Sequence, residues 1–248
     1  MVFNDFLKIE NEIIHLKVIK DSRVKKIILS VIPQEYCMVK SPPYVSEEYL
    51  KNFISRNKKW ILEKFNESEK YPVKPPAFTE GEKIFFKGDL LTLKITNTVS
   101  ECAVSNSNTL LMPDQADKMH FLNLFYLKES IRETEKYRIK YKNLTMPVKK
   151  FRIRHLSSRW GSCSKALSIS LNCRLILAPE IIFEYVFVHE AVHLNNMSHN
   201  KKFWTAIEDI LPDYRKRKQW LKEHSAFMMN YPEQVRKNKY NAVITCRQ

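Results

Sequence analysis

The sequence contains few of the residues on which several common architectures depend. Its five cysteines are an odd number and include no C-x-x-C pair, which argues against a disulfide scaffold and against a cysteine-based zinc site. It has only three glycines, so no glycine-rich phosphate loop can form. No uninterrupted apolar run is long enough to span a bilayer. These absences favour a globular protein without a membrane span.

The first residues, MVFNDFLKIENEIIHLK, do not have the pattern of a secretory signal. Acidic residues interrupt the apolar ones, and no small-residue cleavage site follows them. We therefore expect the protein to be cytoplasmic and to have no membrane partner.

Positive charge is the most unusual part of the composition. Forty-two lysines and arginines against 27 acids give a formal net charge of +15. A basic surface attracts polyanions such as nucleic acid, nucleotides or anionic lipid. The alternative is that lysine-rich composition only solvates the fold, because the charge is spread along the chain. The densest run, RKRK at 215–218, is predicted to lie on the solvent face of a helix.

The first predicted region, residues 1–76, consists of β-strands followed by a helix. Three β-rich segments, NEIIHLKVI, VKKIILSVI and YCMVKSP, are bounded by turn-like residues. Ser46 then caps a helix in which apolar residues recur at helical spacing as far as Phe65. The proline-rich stretch YPVKPPAF, residues 71–78, ends this helix and acts as a linker.

The second predicted region, residues 77–224, mixes strands and helices. A hairpin turns near Gly88-Asp89, and one long helix spans residues 114–143. The segments VKKFRIRHL and LSISLNCRL are predicted strands on either side of SSRWGSCS, and a further helix begins at Pro179. Residues 225–248 are predicted to be a C-terminal extension.

The segment HEAVHLNNMSHNKKFW, residues 189–204, concentrates histidine in a chain that has only seven. Residues four apart share a helix face, so His189 and His193 can present their imidazoles to one ion. Glu190 can take a proton from a metal-bound water, whose pKa a catalytic zinc lowers to about 7. A structural role for the histidines is the alternative, but this His-acid-x-x-His spacing is expected by chance only about 0.02 times in such a chain.

A catalytic zinc needs a third protein ligand, and His199 is the candidate. The chain must leave the helix and turn back for this imidazole to reach the ion. Asn195 or Asn196 can end the helix in the left-handed conformation, and Ser198 can cap a second helix through KKFWTAIEDIL. In that second helix, we expect Phe203 and Trp204 to pack against the first one.

Four segments, SSRWGSCS, LNCRLILAP, YVFVHEAVHL and SHNKKFW, together resemble the YgjP-like metal-dependent hydrolases, relatives of the SprT/Spartan-type zinc metallopeptidases. The resemblance extends over nearly the whole chain. It implies an α+β fold with a zincin-like core, in which a twisted sheet backs the motif helix, joined to an N-terminal β-and-helix region. It also implies His189, His193 and His199 as zinc ligands and Glu190 as the general base. The same ligand spacing occurs in metzincin proteases, but Asn196 stands where those have glycine.

The segment RWGSC, residues 159–163, lies between two predicted strands. Because a strand edge near the metal can pair with an extended substrate, we predict that Arg159, Trp160, Gly161 and Ser162 border the substrate cleft. The alternative is a tight bend that packs Trp160 into the core.

Three functions compete for this sequence. The leading prediction is a zinc-dependent metallopeptidase, with one Zn²⁺ per chain and a peptide or protein substrate. The second is a metal-dependent phosphohydrolase acting on nucleotides, which suits the positive charge but lacks a phosphate loop. The third is a basic nucleic-acid-associated protein with a structural zinc, which leaves Glu190 without a task and the zinc without a fourth protein ligand.

Overall fold

The chain folds into two units, Met1–Lys74 and Pro75–Gln248. The computed structural model describes residues 2–9, 12–32, 36–69, 76–105, 107–156, 158–231 and 241–245. Both units combine sheets with helices, so the mixed α+β class predicted from the sequence is confirmed. The division into three functional regions at residues 76 and 224 stays a prediction.

The first unit is built on a four-stranded sheet. Its strands are β1 (Val2–Ile9), β2 (Glu12–Lys20), β3 (Ile28–Ile32) and β4 (Tyr36–Ser41). Their order is β1-β2-β4-β3, and only β2 and β4 run parallel. Alternate side chains of β2, at Ile14, Leu16 and Val18, are buried, as expected for a sheet with one face against a core.

Two helices follow this sheet, α1 (Glu47–Arg56) and α2 (Lys58–Glu69). Ser46 caps α1 by accepting a hydrogen bond from the backbone N–H of Tyr49 at 3.2 Å, as predicted. The single helix expected through Phe65 is instead divided at Asn57, whose side-chain amide donates to the carbonyl of Phe53 at 2.7 Å. This bond offers the backbone carbonyl a partner other than the helix ladder and marks the break.

The second unit begins with another four-stranded sheet. Its strands are β5 (Lys83–Phe86), β6 (Asp89–Thr96), β7 (Ala103–Ser105) and β8 (Thr109–Pro113), in the order β5-β6-β8-β7. The β5–β6 hairpin turns at Lys87 and Gly88, one residue earlier than predicted. Both residues have positive φ, 50° and 88°, which suits the twist of a two-residue hairpin.

The long helix of this unit is α3 (Lys118–Lys140), followed by a short α4 (Lys142–Thr145). It is shorter than the predicted range of 114–143 because Asp117 caps it by accepting from the N–H of His120 at 3.0 Å.

The third sheet backs the histidine motif. Its strands are β9 (Lys150–Arg154), β10 (Gly161–Ser164), β11 (Ser168–Asn172) and β12 (Asn241–Thr245), in the order β10-β11-β9-β12. The segment predicted as a connection between strands therefore contributes a strand of its own, β10. Residues 241–245, from the predicted extension, pair with β9.

Three helices complete the unit, α5 (Glu180–Val192), α6 (Lys201–Ile210) and α7 (Tyr214–Asn230). Helix α5 begins directly after Pro179 and packs against β10, β11, α6 and α7. Its position among these elements explains why it is apolar around most of its circumference. Within the described ranges, none of the helices is both long and apolar enough to cross a membrane.

Candidate metal centre

Helix α5 ends at the histidine motif. His189 and Glu190 occupy its last turn, and His193 is the residue that terminates it, with helical φ and ψ of −61° and −19°. The chain then makes tight turns, in which the N–H groups of Leu194 and Asn195 donate to carbonyls three residues earlier, each at 3.1 Å. His189 and His193 therefore share one face of a single helical turn.

The return of the chain to His199 differs from the sequence prediction. The prediction that Asn195 or Asn196 is left-handed is wrong, because neither is among the four non-glycine residues of the described chain with positive φ. The predicted cap Ser198 is also wrong. Asn200 caps α6 instead, and its side-chain oxygen accepts from the N–H of Phe203 at 3.1 Å. Sequence reasoning missed this asparagine, although the residue type is as good a cap as serine.

The structure brings the three imidazoles together. One nitrogen from each of His189, His193 and His199 lies within 4.8 Å of the other two. The Nε2 atoms of His189 and His199 face each other at 3.0 Å. Two nitrogens bound to one tetrahedral zinc at about 2.0–2.1 Å would be roughly 3.3 Å apart, so this separation fits a shared ion.

The protonation of the cluster also fits a metal. The Nδ1 of His193 lies 3.0 Å from the carbonyl of Asn196, which can only accept, so Nδ1 carries the proton and Nε2 keeps a free lone pair. Burial lowers the pKa of His189 to about 3, and the positive charges of the neighbouring histidines and of Lys218 act in the same direction. A neutral imidazole is the form that binds a metal.

Aromatic packing beneath the cluster fixes its spacing. The Phe203 ring is fully buried and lies 4.5–5.0 Å from all three imidazole rings. The indole N–H of Trp204 donates to the carbonyl of His199 at 3.1 Å, and the two rings stack at 5.7 Å. Both contacts agree with the expectation that Phe203 and Trp204 hold the two helices together.

Glu190 follows His189 in the last turn of α5 and is buried. Burial raises the pKa of its carboxyl to about 8, against the opposing charge of Arg159. Among the described residues, no hydrogen bond contributes to the pKa of this carboxyl. Gly161 lies against it, because an added Cβ at that residue would be 2.6 Å from Glu190 Oε1. The carboxylate is therefore placed by packing rather than by donors.

The four residues predicted to bind substrate have different surroundings. Gly161 faces Glu190, and the exposed Arg159 is close enough to affect its pKa. The half-buried Trp160 donates through its indole N–H to the hydroxyl of Ser225 on α7 at 2.9 Å, which favours the packing alternative for this side chain. Ser162 follows Gly161 on β10, so its side chain points to the opposite face of that strand.

Sequence reasoning also missed Asn172, at the end of β11. Its side-chain amide donates to the carbonyls of Leu156 and Arg159 at 2.8 and 3.0 Å, and its N–H donates to the carbonyl of Trp160. These bonds fix the loop that leads into β10. The signal in the sequence is an asparagine that directly follows the apolar residues of a predicted strand, in SLNCRL. The structure shows that this asparagine is buried.

The comparison with known families agrees with this architecture. A family model for the YgjP-like metallopeptidase domain matches residues 25–224. No curated protein matches the chain. The family match covers most of the chain and includes the three histidines and β10. This chain therefore belongs to the YgjP-like family and carries its metallopeptidase domain.

Proposed function

We propose that this protein is a zinc-dependent peptidase in which His189, His193 and His199 hold one metal ion per chain. The observation that carries the proposal is the convergence of three imidazole nitrogens within 4.8 Å, two of them from the helical segment that also carries the buried Glu190. Imidazole is a preferred zinc ligand, and three protein ligands leave one position open, as in catalytic rather than structural sites.

Zinc held by these imidazoles would supply a Lewis acid that polarises an amide carbonyl and lowers the pKa of water to about 7. Glu190 is the proposed general base. It accepts a proton from the attacking water and later delivers that proton to the leaving amine. Its place directly after the first proposed ligand supports this role, and so does the lack of an ion pair to it among the described residues, because a base that is not paired with a structural cation is available to the substrate.

Strand β10 is the proposed binding edge for the peptide. It is the terminal strand of its sheet in the described part of the chain, so one side of its backbone can pair with an extended substrate. Peptide binding at this edge runs past Gly161, which lies against Glu190. Arg159, two residues before β10, and Ser162, within it, are proposed to contact the substrate.

A substrate panel tests this function. The purified protein is incubated with casein, a mixed peptide library, nucleoside triphosphates and DNA, with and without a zinc chelator. We expect cleavage of peptide bonds only, with loss of activity in chelator and recovery when zinc is restored. Hydrolysis of nucleoside triphosphates without peptide cleavage would replace the peptidase by a phosphohydrolase. The cytoplasmic location stays a prediction, which fractionation of cells tests.

A further inference from the structure

Gly161 is one of three glycines in the chain, and its backbone does not require glycine. Gly81 and Gly88 have positive φ of 80° and 88°, a conformation that favours glycine, whereas Gly161 does not. An alanine could therefore adopt the backbone conformation of residue 161. The reason for a glycine at this position must lie in its surroundings.

Those surroundings consist of the Glu190 side chain. A Cβ added at residue 161 would lie 2.6 Å from Cγ, 2.6 Å from Oε1 and 2.8 Å from Cδ of Glu190. These separations are far below van der Waals contact, so one of the two groups would have to move. All three contacted atoms belong to the predicted general base.

The strand is the fixed side of this contact, and the Glu190 side chain is the side that would move. Glu190 is buried on a helix that packs against the sheet. The strand is fixed by its ladder with β11, in which Gly161 is opposite Leu171, and by the hydrogen bond from the N–H of Asn172 to the carbonyl of Trp160 at 2.8 Å. A side chain at residue 161 would therefore displace the carboxylate from its buried position.

We propose that Gly161 is a positioning residue for Glu190: the absence of a side chain at this position of β10 leaves the space that the Glu190 carboxylate occupies. This inference rests on the proposed function for the role of Glu190, but the contact itself does not. It differs from the earlier prediction that Gly161 contacts substrate, since that role would affect substrate affinity and not the placement of the base.

Unfolding measurements test the contact without any substrate or metal. Gly161→Ala should lower the melting temperature, measured in chelator, by several degrees. In a Glu190→Ala background, which lacks Cγ, Cδ and Oε1, the same substitution should cost about 1 °C or less. If Gly161→Ala alone does not fold, the second change should restore folding. Equal losses in both backgrounds would overturn the proposal.

Gly88→Ala provides a matched control. A Cβ at residue 88 would lie 2.7 Å from Cγ of Pro179, so it also creates a clash, but at a site that Glu190 does not touch. Its cost in melting temperature should be the same in the wild-type and Glu190→Ala backgrounds. This comparison separates relief of a specific contact from a general effect of Glu190→Ala.

Kinetics test the consequence for catalysis. Gly161→Ala should lower kcat at least about tenfold, because a misplacement of about 1 Å is costly, while KM and zinc affinity stay within about twofold. In a Glu190→Gln background, where the base is already absent, it should cause no further loss. A raised KM with unchanged kcat, or an equal loss in both backgrounds, would make Gly161 a substrate contact instead.

A separate observation concerns the basic run at 215–218 on α7. Arg215 is paired with Glu208 at 2.5 Å, and Arg217 is paired with Glu184 at 2.6 Å. Lys218 has no carboxylate partner among the described residues. Its Nζ lies 4.2 Å from the centroid of the Trp204 ring, and that ring stacks on His199. Lys218 is therefore separated from the imidazole cluster by one aromatic ring, that of Trp204.

We infer that Lys218 binds a carboxylate of the substrate, so that the site prefers peptides with an acidic group near the scissile bond. The face of Trp204 holds the ammonium by a cation–π contact and leaves its hydrogen atoms for an anion. This inference rests on the proposed function. Its counterpart in the same run, Lys216, is exposed and has no cation–π contact among the described residues, which makes it a suitable control.

Two metal-binding probes test this preference without turnover: the monohydroxamate of succinic acid and its uncharged methyl ester. The zinc-loaded wild type should bind the acid about threefold more tightly than the ester, as expected for one exposed ion pair. Lys218→Ala should lose this preference, and Lys216→Ala should keep it. A wild type without the preference, or a Lys218→Ala protein that keeps it, would overturn the inference. Failure of both probes to bind would count against the metal site itself.

Discussion

Helix α5 carries two buried glutamates, Glu184 in its first half and Glu190 in its last turn, and their surroundings are opposite. Glu184 and Glu190 are both 6 % exposed. Glu184 accepts hydrogen bonds from Lys140 at 2.5 Å, Tyr141 at 2.8 Å and Arg217 at 2.6 Å. Although burial raises the pKa of Glu184, these donors hold it below the usual value. At Glu190 burial dominates, and the pKa rises to about 8.

The difference separates a glutamate that joins neighbouring elements, Glu184, from the proposed general base, Glu190, on one helix. A buried carboxylate surrounded by cations is fixed in its charged state and joins neighbouring elements. A carboxylate of equal burial without such donors is not held in its charged state by its neighbours. The two glutamates therefore provide matched positions, on one helix, for separating the metal centre from the fold.

The largest expected effect comes from removing His193, the predicted metal ligand that terminates α5. His193→Ala should reduce zinc from about one ion per chain to nearly none, because two remaining imidazoles cannot form a stable site. Elemental analysis after dialysis measures this loss. His120→Ala, outside the imidazole cluster, is the control and should keep its zinc. Full occupancy in His193→Ala would exclude the proposed ligand set.

The matched pair of glutamates gives the next largest effect. Glu190→Gln keeps the shape of the side chain and removes the base, so hydrolysis should fall by at least about 100-fold while zinc stays bound. Glu184→Gln should keep turnover within about twofold when assayed well below its melting temperature. Similar activity losses in both variants would show that Glu190 acts through the fold, and loss of zinc in Glu190→Gln would make it a ligand.

The predictable part of this site is the part that depends on local geometry. Residues 189 and 193 share a helix face wherever that helix packs, so the sequence predicts their proximity. The contact between Gly161 and Glu190 cannot be predicted in this way, because it depends on the register of β10 against β11 and on the packing of α5 over both. The partners of Glu184 likewise come from α3 and α7, far away in sequence.

The bounds of helices and strands are hard to predict from sequence for the same reason: they depend on contacts beyond local spacing. Helical spacing predicts apolar residues on both sides of Asn57, but not the side-chain bond to Phe53 that accompanies the break between α1 and α2. The segment that includes β10 has too few apolar residues to predict a strand, and its pairing with β11 supplies what local propensity does not.

For Glu184, which pairs with basic residues of α3 and α7, the expected effect is on stability. Glu184→Gln removes the charge that pairs with the partly buried guanidinium of Arg217, which keeps Asp213 as a partner, so the free energy of unfolding should fall by about 1.5 kcal/mol. Urea unfolding in chelator measures this change. Glu190→Gln should cost much less, since no described cation depends on it. A larger loss for Glu190→Gln would reverse the comparison.

The same variant should have a defined pH dependence. The pKa of Glu184 is lower in the folded protein than its usual value of 4.5, so its contribution to stability is present above pH 4.5 and is lost as the pH falls through the folded-state pKa. The difference in unfolding free energy between wild type and Glu184→Gln should therefore be full at pH 7 and should shrink on acidification below about pH 5. A difference that grows towards low pH would contradict the lowered pKa.

The smallest expected effect concerns the helix that carries the chain onward from His199. Asn200→Ala removes the oxygen that accepts from the N–H of Phe203, and loss of such a cap costs about 1 kcal/mol. Because Phe203 packs beneath the three imidazoles, zinc affinity measured by chelator competition should also weaken a few-fold. Ser198→Ala, at the cap position that the sequence suggested, should cost less in both measurements. A greater loss of stability and zinc affinity in Ser198→Ala than in Asn200→Ala would show that Ser198 caps the helix in solution. The helix would then begin before His199, which contradicts the structure.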